Sequence, residues 1–443
     1  MKLILRGIFW FGLYVFLVTF PLVVAALSVP RSGSPSLLVD LADGLGYVAL
    51  AMMALEMALV SRVDEAAGAF GLDALLQFHR EAGIGALLLV VAHAVLLLSS
   101  GGYPLAILGL SASVPLPVRL GTLAAAATAL LVLLAVTRRR LHARYEAWQL
   151  VHGLLAVTLV GLAAAHVATV GRFAASTPMR VLGTLYLGLF LGILLRYRVL
   201  RPLALLRKPW EVVANLAELG ASRTLVLRPV GHAGFSFQPG QFAWLNMGRT
   251  PFHLEQHPIS MSSGGDVPPG GQLSFTIRDL GDWSGKVVPA LRPGHRVWVD
   301  GPYGVFSPDR EEGPGYVLLG GGIGVAPLVS MIETLAARED RRPVILLYGA
   351  HREEDLTLRE RIEALRSRLD LRIAYVLEHP PPGWNGESGY IDEAVLRRHL
   401  PHDHRRFQYF VCGPAPLMNA MERTLPSLDI PAERIHAERF DMV

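Results

Sequence analysis

Six apolar runs fill the first half of the chain, and each is long enough, or nearly so, to cross a bilayer as a helix. They lie at about 8–28, 45–61, 79–99, 118–137, 148–170 and 180–198. The first run resembles a signal peptide, but it has no clear small-residue cleavage site and is long enough to span the membrane. The pattern predicts an all-α bundle of six transmembrane helices within residues 1–205.

After the sixth run the apolar stretches become short and alternate with polar positions. The predicted strands are VVANLAEL, RTLVLRPV, QFAWLNM, QLSFTIRDL and HRVWVDG, with turn residues between them. Short strands at this spacing are typical of a small antiparallel β-barrel. We place this barrel at residues 206–308.

Strands and helices alternate in the last third of the chain. The predicted strands are YVLLG, PVILLYGA, LRIAYVLE and FQYFVCG, and the segments between them have helical patterns. In LTLRERIEALRSRL the apolar residues fall on one helix face: Leu358, Ile362, Leu365 and Leu369. This alternation predicts an α/β domain with a parallel sheet at residues 309–443.

Composition and charge indicate a membrane protein and argue against nucleic-acid binding. The chain is 52% hydrophobic, which is too apolar for an ordinary soluble protein of 443 residues. Its net charge is +4, but much of the excess lies at helix ends such as RRRLHAR, where membrane topology explains it. The single cysteine, Cys412, excludes an intrachain disulfide and a cysteine-ligated iron–sulfur cluster.

The distribution of Lys and Arg predicts the orientation of the helices. Basic residues precede the first helix, separate the fourth from the fifth and follow the sixth, whereas the opposite loops near 29–44, 100–117 and 171–179 carry little positive charge. The basic side should be the cytoplasm. We therefore expect a multi-pass protein of the inner cell membrane, surrounded by lipid, with both termini in the cytoplasm.

Four histidines form two equally spaced pairs in the membrane half, His79 with His93 and His152 with His166. Their spacing of 14 positions is roughly 21 Å of helical rise and about 40° short of four turns, so both members of a pair point the same way at two depths. A lone histidine in a membrane helix more often serves packing or hydrogen bonding. The doubled pattern, and the cost of ionisable groups in a bilayer, instead favour axial ligands of two b-type haems.

The predicted topology decides how these histidines pair. The third and fifth helices both run from the cytoplasm outward, so His79 and His152 should lie at the inner end of the bundle. His93 and His166 should then lie at the outer end. The axial pairs are therefore expected to be His79 with His152 and His93 with His166.

Other polar residues of the membrane half have two interpretations each. Glu56 could belong to a proton path or contact a haem, but we favour a side chain that snorkels to the inner interface. Arg119, Arg172 and Arg180 could attract an anionic acceptor at the outer face. Contacts with lipid headgroups explain these arginines better.

The motifs of the second half, taken in order, resemble those of the ferredoxin–NADP reductase superfamily. They are PGQFAWL, HPISMSS, FTIRDLGDWS and DGPYG in the barrel, then GGGIGVAP and CGPAPLM in the α/β domain. HPIS resembles the NADPH oxidase and ferric reductase branch, as do LLQFHRE and YEAWQLVHGLL in the membrane half. The resemblance implies an FAD-binding barrel, an NAD(P)H-binding domain, and a bacterial-type transmembrane NADPH oxidase or ferric reductase.

This resemblance also implies roles for barrel residues. Ser260 would donate its hydroxyl to the flavin N5, and His257 would face the pyrophosphate. Ile259 stands where many soluble relatives have a tyrosine that stacks on the ring. Further contacts with FAD are expected from Pro258 and from Gly281, Trp283 and Ser284. The segment from Gly281 to Ser284 can present N–H groups to phosphate.

A glycine-rich turn follows YVLLG and leads into a helix, as in dinucleotide-binding sites. The residues expected at the nucleotide are Gly320, Gly321, Gly322, Gly324 and Pro327 of this turn, with Gly413 and Pro414 after a later strand. A plain strand-to-helix turn is the alternative. By resemblance Cys412 would lie beside nicotinamide C4 and Phe440 would shield the flavin, although Cys412 could also be a core thiol. Arg352 favours a 2′-phosphate on the nucleotide, whereas Glu353 or Glu354 favours a 2′-hydroxyl.

Together these features suggest a transmembrane electron-transfer enzyme. Electrons from cytoplasmic NAD(P)H would pass through FAD and two haems to an acceptor outside: oxygen, a ferric chelate, a quinone or a periplasmic redox partner. FAD is needed because nicotinamide donates two electrons whereas haem accepts one. The alternative of another class is a proton channel or transporter with a regulatory nucleotide-binding domain, in which the four histidines form a proton relay.

Overall fold

The computed structural model describes residues 2–28, 37–61, 70–100, 109–141, 145–170 and 176–439. The chain separates into two compact units, Met1–Arg201 and Pro202–Val443. The first unit contains the apolar helices, and the second contains two sheets.

Among the described residues, six helices are long and apolar enough to cross a membrane, which confirms the predicted number. They are α1 (Lys2–Ser28), α2 (Leu37–Val60), α3 (Leu72–Ser99), α4 (Leu116–Leu141), α5 (Tyr145–Val170) and α6 (Thr177–Leu195). A π-helical turn at Arg196–Leu200 and the short helix α7 (Arg201–Leu205) follow α6. Helices suit these apolar sequences because a backbone in lipid must satisfy its N–H and C=O groups internally.

Helix α2 begins earlier than the hydropathy pattern predicts, at Leu37 and not near residue 45. Asp40 and Asp43 interrupt the apolar run there. Asp40 lies in the first turn, where a carboxylate opposes the positive end of the helix dipole, so the helix accommodates it. The added turns matter for the site, because the Ala42 carbonyl group belongs to them.

Small residues dominate the interior of the membrane unit. One buried cluster is formed by Ala49, Met53, Ala86, Ala124 and Leu159, which belong to α2, α3, α4 and α5. Small side chains let membrane helices approach closely, and this close packing replaces the hydrophobic driving force that lipid removes. The two histidine-bearing helices each have an extensive contact with a neighbour, α3 with α2 and α5 with α4.

The second unit begins with an antiparallel barrel, as predicted. Its strands are β1 (Trp210–Glu218), β2 (Ser222–Pro229), β3 (Phe242–Asn246), β4 (His257–Ser260), β5 (Leu273–Arg278) and β6 (Arg296–Tyr303), and the short helix α8 (Val288–Ala290) precedes β6. The strand order is β4-β3-β6-β1-β2-β5, and a bridge between Met261 and Phe275 links the two edges. Strand β4 has no counterpart among the predicted strands because HPIS has only four residues, one of them a proline.

A parallel sheet forms the rest of the second unit, again as predicted. Its strands are β7 (Tyr316–Gly321), β8 (Val344–Ala350), β9 (Leu371–Leu377), β10 (Glu387–Ser388), β11 (Gln408–Gly413) and β12 (Ile435–Arg439), in the order β10-β9-β8-β7-β11-β12. The helices are α9 (Val325–Ala337), α10 (Arg359–Ala364), α11 (Glu393–His399) and α12 (Ala415–Ser427). Alternate residues of β7 belong to different buried clusters, Leu318 to one and Val317 to the other, so both faces of the sheet are covered.

One predicted helix is shorter than its sequence pattern suggests. Leu358 adopts a left-handed backbone conformation with φ of 61°, so α10 begins only at Arg359 and ends at Ala364. The apolar face is nevertheless buried as predicted, because Leu358, Ile362, Leu365 and Leu369 all belong to one core cluster. Burial of these four leucine and isoleucine side chains fixes the segment without a full-length helix.

Ion pairs join the barrel to the parallel sheet within the second unit. Arg338 at the end of α9 binds Asp266 of the barrel at 2.6 Å and Asp309 of the connecting segment at 2.5 Å. Arg361 of α10 binds Glu333 at 2.6 Å and donates to the Ser262 carbonyl group at 2.9 Å. These contacts tie the segment that follows β4, and the segment that joins the two sheets, to α9 and α10.

Candidate functional site

The structure brings the four histidines together as two pairs between α3 and α5. The ring centroids of His79 and His152 lie 6.3 Å apart, and those of His93 and His166 lie 6.5 Å apart. We call the first the inner pair and the second the outer pair, after their predicted depths. This arrangement requires α3 and α5 to run in the same direction, so that equal spacing aligns both levels.

Backbone carbonyl groups orient the outer pair. His93 Nδ1 lies 2.7 Å from the carbonyl oxygen of Ala42 on α2. His166 Nδ1 lies 2.7 Å from the carbonyl oxygen of Pro117 on α4. Because a carbonyl oxygen can only accept, each Nδ1 carries the hydrogen and donates it. Each Nε2 is then left unprotonated, as ligation of iron requires.

Two glycines make room for the outer rings. A Cβ on Gly121 would lie 2.8 Å from Cε1 of His166, and a Cβ on Gly46 would lie 3.1 Å from Nδ1 of His93. Both distances are shorter than ordinary van der Waals contact, so the imidazoles lie against bare helix backbone. Gly46 and Gly121 are absent from the sequence-based prediction, since a single sequence does not show which glycine faces a neighbouring helix.

Side chains, and not carbonyl groups, surround the inner pair. The Glu56 carboxylate contacts Nδ1 of His79, so the snorkelling interpretation of Glu56 is wrong. Trp148 packs on His152 with ring centroids 4.9 Å apart. Nδ1 of His152 is buried and has no hydrogen-bond partner within the described ranges. The two levels therefore present similar ring spacings but different surroundings.

Both pairs fit ligation of a haem by two histidines. Metal–imidazole bonds of about 2.0–2.1 Å, together with the half-width of each ring, add up to a centroid separation close to the observed 6.3 and 6.5 Å. The apolar helices around the rings suit an apolar macrocycle. His79 with His152, and His93 with His166, are the residues that would hold the two irons.

Ser260 ends β4 with a hydroxyl group that the protein leaves unpaired. The residue is 5% exposed, and none of the described residues forms a hydrogen bond with its Oγ. Buried hydroxyl groups are nearly always paired, so this one indicates a ligand. Ser260 pairs with Phe242 across β3, and the preceding residues Pro258 and Ile259 are half-buried. An orphaned donor at this position fits the expected partner of flavin N5.

His257, at the other end of β4, stacks on Trp283 with ring centroids 3.9 Å apart and an interplanar angle of 28°. The structure thus brings together two residues expected at FAD from separate motifs. Ser284 is engaged within its own loop, where its Oγ accepts from the Leu280 N–H at 2.8 Å and lies 3.2 Å from the Gly281 carbonyl oxygen. Its hydroxyl group therefore supports the turn and is already paired before any ligand binds.

Packing explains most glycines of the GGGIG turn. A Cβ on Gly324 would lie 2.3 Å from the carbonyl oxygen of Cys412, and a Cβ on Gly321 would lie 2.7 Å from a side chain of α12. The other members of the predicted set are buried in β7 and α9: Gly320 and Pro327. Gly322 differs, because it has φ of +51° and a Cβ added to it would lie 3.2 Å from Nη1 of Arg278. Gly322 beside this guanidinium is therefore the candidate for contact with a nucleotide phosphate.

Cys412 is fully buried near the end of β11, in register with Gly320 of β7 and Glu438 of β12. Burial, and then the nearby Glu438 carboxylate, raise the pKa of the Cys412 thiol well above its usual value. A buried thiol with a raised pKa stays protonated, both as a core thiol and as a thiol placed beside the nicotinamide. Gly413 ends the strand and Pro414 is exposed after it, at the edge where parallel sheets bind ligands.

Arg352 is exposed after β8, at the same edge of the sheet. Its Nη1 lies 3.5 Å from Oε1 of Glu354, and an exposed ion pair of this kind contributes little to stability. Glu353 is bound to another arginine at 2.6 Å. The imidazoles of His351 and His379 stack nearby on adjacent strand ends, with centroids 5.8 Å apart. Glu378 lies 2.7 Å from Nδ1 of His351, and Glu354 is as exposed as Arg352, so this edge offers a ligand both positive and negative groups.

Two residues of the sequence-based prediction, Phe440 and Arg172, lie outside the described residues. Arg119 lies in α4, and its Nε is buried without a hydrogen-bond partner in the described part of the chain. Arg180 lies in the first turn of α6, on the side of the bundle where α4 also begins in the predicted topology.

Two family matches lie in different halves of the chain, and together they span about half of its length. Residues 45–163 match the family described as a ferric reductase like transmembrane component. Residues 318–423 match the family described as an oxidoreductase NAD-binding domain. The first match includes three of the four histidines, since His166 lies just beyond it, and the second includes the glycine-rich turn and Cys412.

Part of the chain is similar to several curated proteins, some of them reductases. NADH-cytochrome b5 reductase 1 of Aspergillus terreus is 31% identical over 36% of this chain and 56% of its own length. The reductase component of propane 2-monooxygenase of Rhodococcus jostii is 30% identical over 49% of this chain and 59% of its own length. A flavohemoprotein of Bordetella pertussis is 30% identical over 53% of this chain and 60% of its own length. The chain thus spans less than two thirds of each relative.

Solved structures show a similar partial likeness. The FAD/NAD-binding domain of a nitric oxide dioxygenase from Vibrio cholerae matches 52% of this chain and 98% of its own, with 21% identity and a TM-score of 0.47. The cytochrome P450 reductase GcoB from Amycolatopsis matches 53% of this chain and 69% of its own, with 25% identity and a TM-score of 0.46. Each match covers about half of this chain.

Proposed function

We propose that this chain, which joins a ferric reductase-like transmembrane component to an FAD/NAD-binding module of the ferredoxin reductase type, moves electrons across the membrane. The donor is NAD(P)H in the cytoplasm, the carriers are FAD and two b-type haems, and the acceptor lies on the other side. Both termini are cytoplasmic in this proposal, as the distribution of Lys and Arg predicts.

The two histidine pairs, one at each level of the bundle, are the observation that carries this proposal. Two ring pairs with centroid separations of 6.3 and 6.5 Å, on the same two membrane helices, supply two similarly spaced ligand sets at two depths. A single structural histidine requires no partner ring and no second level. The repeated arrangement is therefore better explained by a chain of two redox centres than by helix packing.

Residues of the second unit supply the entry of electrons. When bound, FAD accepts the electron pair of the nicotinamide as a hydride and releases electrons singly, which suits haem. The orphaned Ser260 hydroxyl group donates to the flavin ring and orients it. His257 and Trp283 hold each other face to face at the expected position of the pyrophosphate. Arg352 holds the 2′-phosphate of the nucleotide, which favours NADPH over NADH.

The acceptor is oxygen or chelated ferric iron in the form of the proposal that we favour. Because the two histidines of a pair face each other, they would hold an iron from both sides and leave it no open position. The outer haem would then supply electrons at its edge, which suits small diffusible molecules. A quinone or a periplasmic redox protein is the second candidate, since an exposed haem edge also serves a docked partner.

A spectrum of the purified chain tests the proposal first. We expect b-type haem bands in the reduced-minus-oxidised difference and an FAD content of one per chain. His166→Ala should remove about half of the haem and leave reduction of FAD by NADPH unchanged. A chain without haem would overturn the proposal in favour of the channel or transporter, in which the same histidines relay protons.

The acceptor can be identified on the same sample. NADPH consumption is measured with oxygen alone and with a ferric chelate, each in the presence and absence of superoxide dismutase. Chelate reduction that is insensitive to the dismutase indicates a ferric reductase. Loss of chelate reduction when the dismutase is added indicates superoxide as the product.

A further inference from the structure

We infer that Glu56 is a positioning residue that makes the inner histidine pair a more reducing iron site than the outer pair. The inference rests on the proposed function, because it concerns the haem that the inner pair would hold. Glu56 lies on α2, and its carboxylate contacts Nδ1 of His79 on α3. This contact leaves Nε2 as the ligand nitrogen of His79.

The hydrogen-bond acceptors that face the histidine Nδ1 atoms differ in charge between the two levels. At the outer level Nδ1 of His93 and Nδ1 of His166 donate to the neutral carbonyl groups of Ala42 and Pro117. At the inner level the acceptor for His79 is a carboxylate. A carboxylate that accepts from Nδ1 raises the basicity of the imidazole more than a carbonyl group does.

The surroundings preserve the effect of this charge. The side chain of Glu56 is 15% exposed and that of His79 is 27% exposed, so water screens the contact only in part. Tyr14 lies beside the carboxylate and packs on Phe78 with ring centroids 4.9 Å apart. Within the described ranges, no Lys or Arg forms an ion pair with Glu56.

A more basic axial ligand stabilises oxidised iron relative to reduced iron, and thereby lowers the reduction potential of the site. The outer pair lacks this contact and should have the higher potential. Electrons then pass from the inner level to the outer level in the favourable direction. One carboxylate on α2 would thus help to give direction to electron flow between the two levels, which also differ in the surroundings of His152 and His166.

Redox titration of the purified full chain, followed by absorption and by electron paramagnetic resonance, tests this inference. Glu56→Gln keeps the shape of the side chain but removes its charge. Glu81→Gln is the matched control, because Glu81 is exposed on α3 only two residues from His79 and points to another side of the helix. A second set of variants carries His166→Ala, so that the remaining haem is the inner one.

We expect Glu56→Gln to shift one of the two midpoint potentials upward and to leave the other unchanged. In the His166→Ala background the single remaining potential should shift by the same amount. Glu81→Gln should change neither potential. Selective loss of the inner haem from Glu56→Gln would equally support the positioning of His79 by Glu56, because the outer pair does not touch Glu56.

Two results would overturn the inference. The first is that both midpoint potentials of Glu56→Gln equal those of the unchanged chain. The second is that Glu56→Gln shifts the midpoint potential of the outer haem as much as that of the inner haem. Absence of haem from the unchanged chain would instead refute the proposed function itself. That failure is seen before any variant is made, so the two outcomes are distinguishable.

Discussion

Gly121→Ala is the smallest change that should remove the outer haem. The new Cβ would lie 2.8 Å from Cε1 and 2.9 Å from Nδ1 of His166. Ordinary contact begins near 3.4 Å, so the imidazole must move by about 0.6 Å, and overpacking of this kind typically costs about 1–3 kcal/mol. Such a shift also disturbs the 2.7 Å hydrogen bond from Nδ1 to the Pro117 carbonyl group.

The cost should fall on haem binding and not on the fold. Replacement of glycine by alanine inside a helix stabilises it by about 0.8–1.0 kcal/mol, which offsets part of the strain. A displaced ligand that weakens binding by about 1–3 kcal/mol lowers haem affinity by roughly 5–150-fold. The outer site should therefore lose most of its haem during purification while the chain stays folded.

The assay measures the haem content per FAD and the electron paramagnetic resonance signals of the two iron sites. Gly161→Ala is the matched control, because Gly161 lies on α5 with His166 and, apart from its own helix backbone, no atom of the described residues lies within 4 Å of its added Cβ. We expect about half of the haem in Gly121→Ala and all of it in Gly161→Ala. Full haem content with unchanged spectra in Gly121→Ala would refute this account of the outer pair.

Three further outcomes are expected. Ser260→Ala should retain FAD but slow its reduction by NADPH about tenfold in stopped-flow experiments, because one hydrogen bond to the flavin is lost, and an unchanged rate would contradict this role. Arg352→Glu should raise the KM for NADPH at least tenfold relative to the KM for NADH, and equal changes for both nucleotides would place Arg352 away from the 2′-phosphate. Burial lowers the pKa of His436 to about 4 from 6.5, so the unfolded chain binds a proton between these values that the folded chain does not. The free energy of unfolding should therefore fall by up to roughly 3 kcal/mol as the pH drops from 6.5 to 4, and His436→Gln should flatten that dependence in thermal denaturation of the full chain.

Periodic features of the chain were predictable from sequence, and contacts between elements were not. Hydropathy and alternation predict the six helices and both sheets, because helices and buried strands repeat at fixed periods. The short strand His257–Ser260 escapes this reasoning because four residues show no period. The spacing of the histidines predicts their two levels, since a helix converts spacing into depth.

The contacts that position the histidine rings come from neighbouring helices that no local pattern identifies. Gly46 and Gly121 resemble any other membrane glycine until α2 and α4 are placed against the histidine rings. Glu56 looks like an interfacial residue in the sequence, and only the packing of α2 on α3 brings it to His79. The glycines of the GGGIG turn illustrate the reverse case, because Gly321 and Gly324 are required by packing whether or not a nucleotide binds.

Electron transfer across a sealed membrane is the most direct test of the central claim. The full chain is reconstituted into liposomes that contain a trapped, membrane-impermeant ferric acceptor, and NADPH is added outside. Molecules whose second unit faces outward should reduce the trapped acceptor, and His166→Ala should abolish this reduction while NADPH still reduces the bound FAD. Reduction that occurs only when donor and acceptor share one side of the membrane would contradict a path through the two histidine pairs.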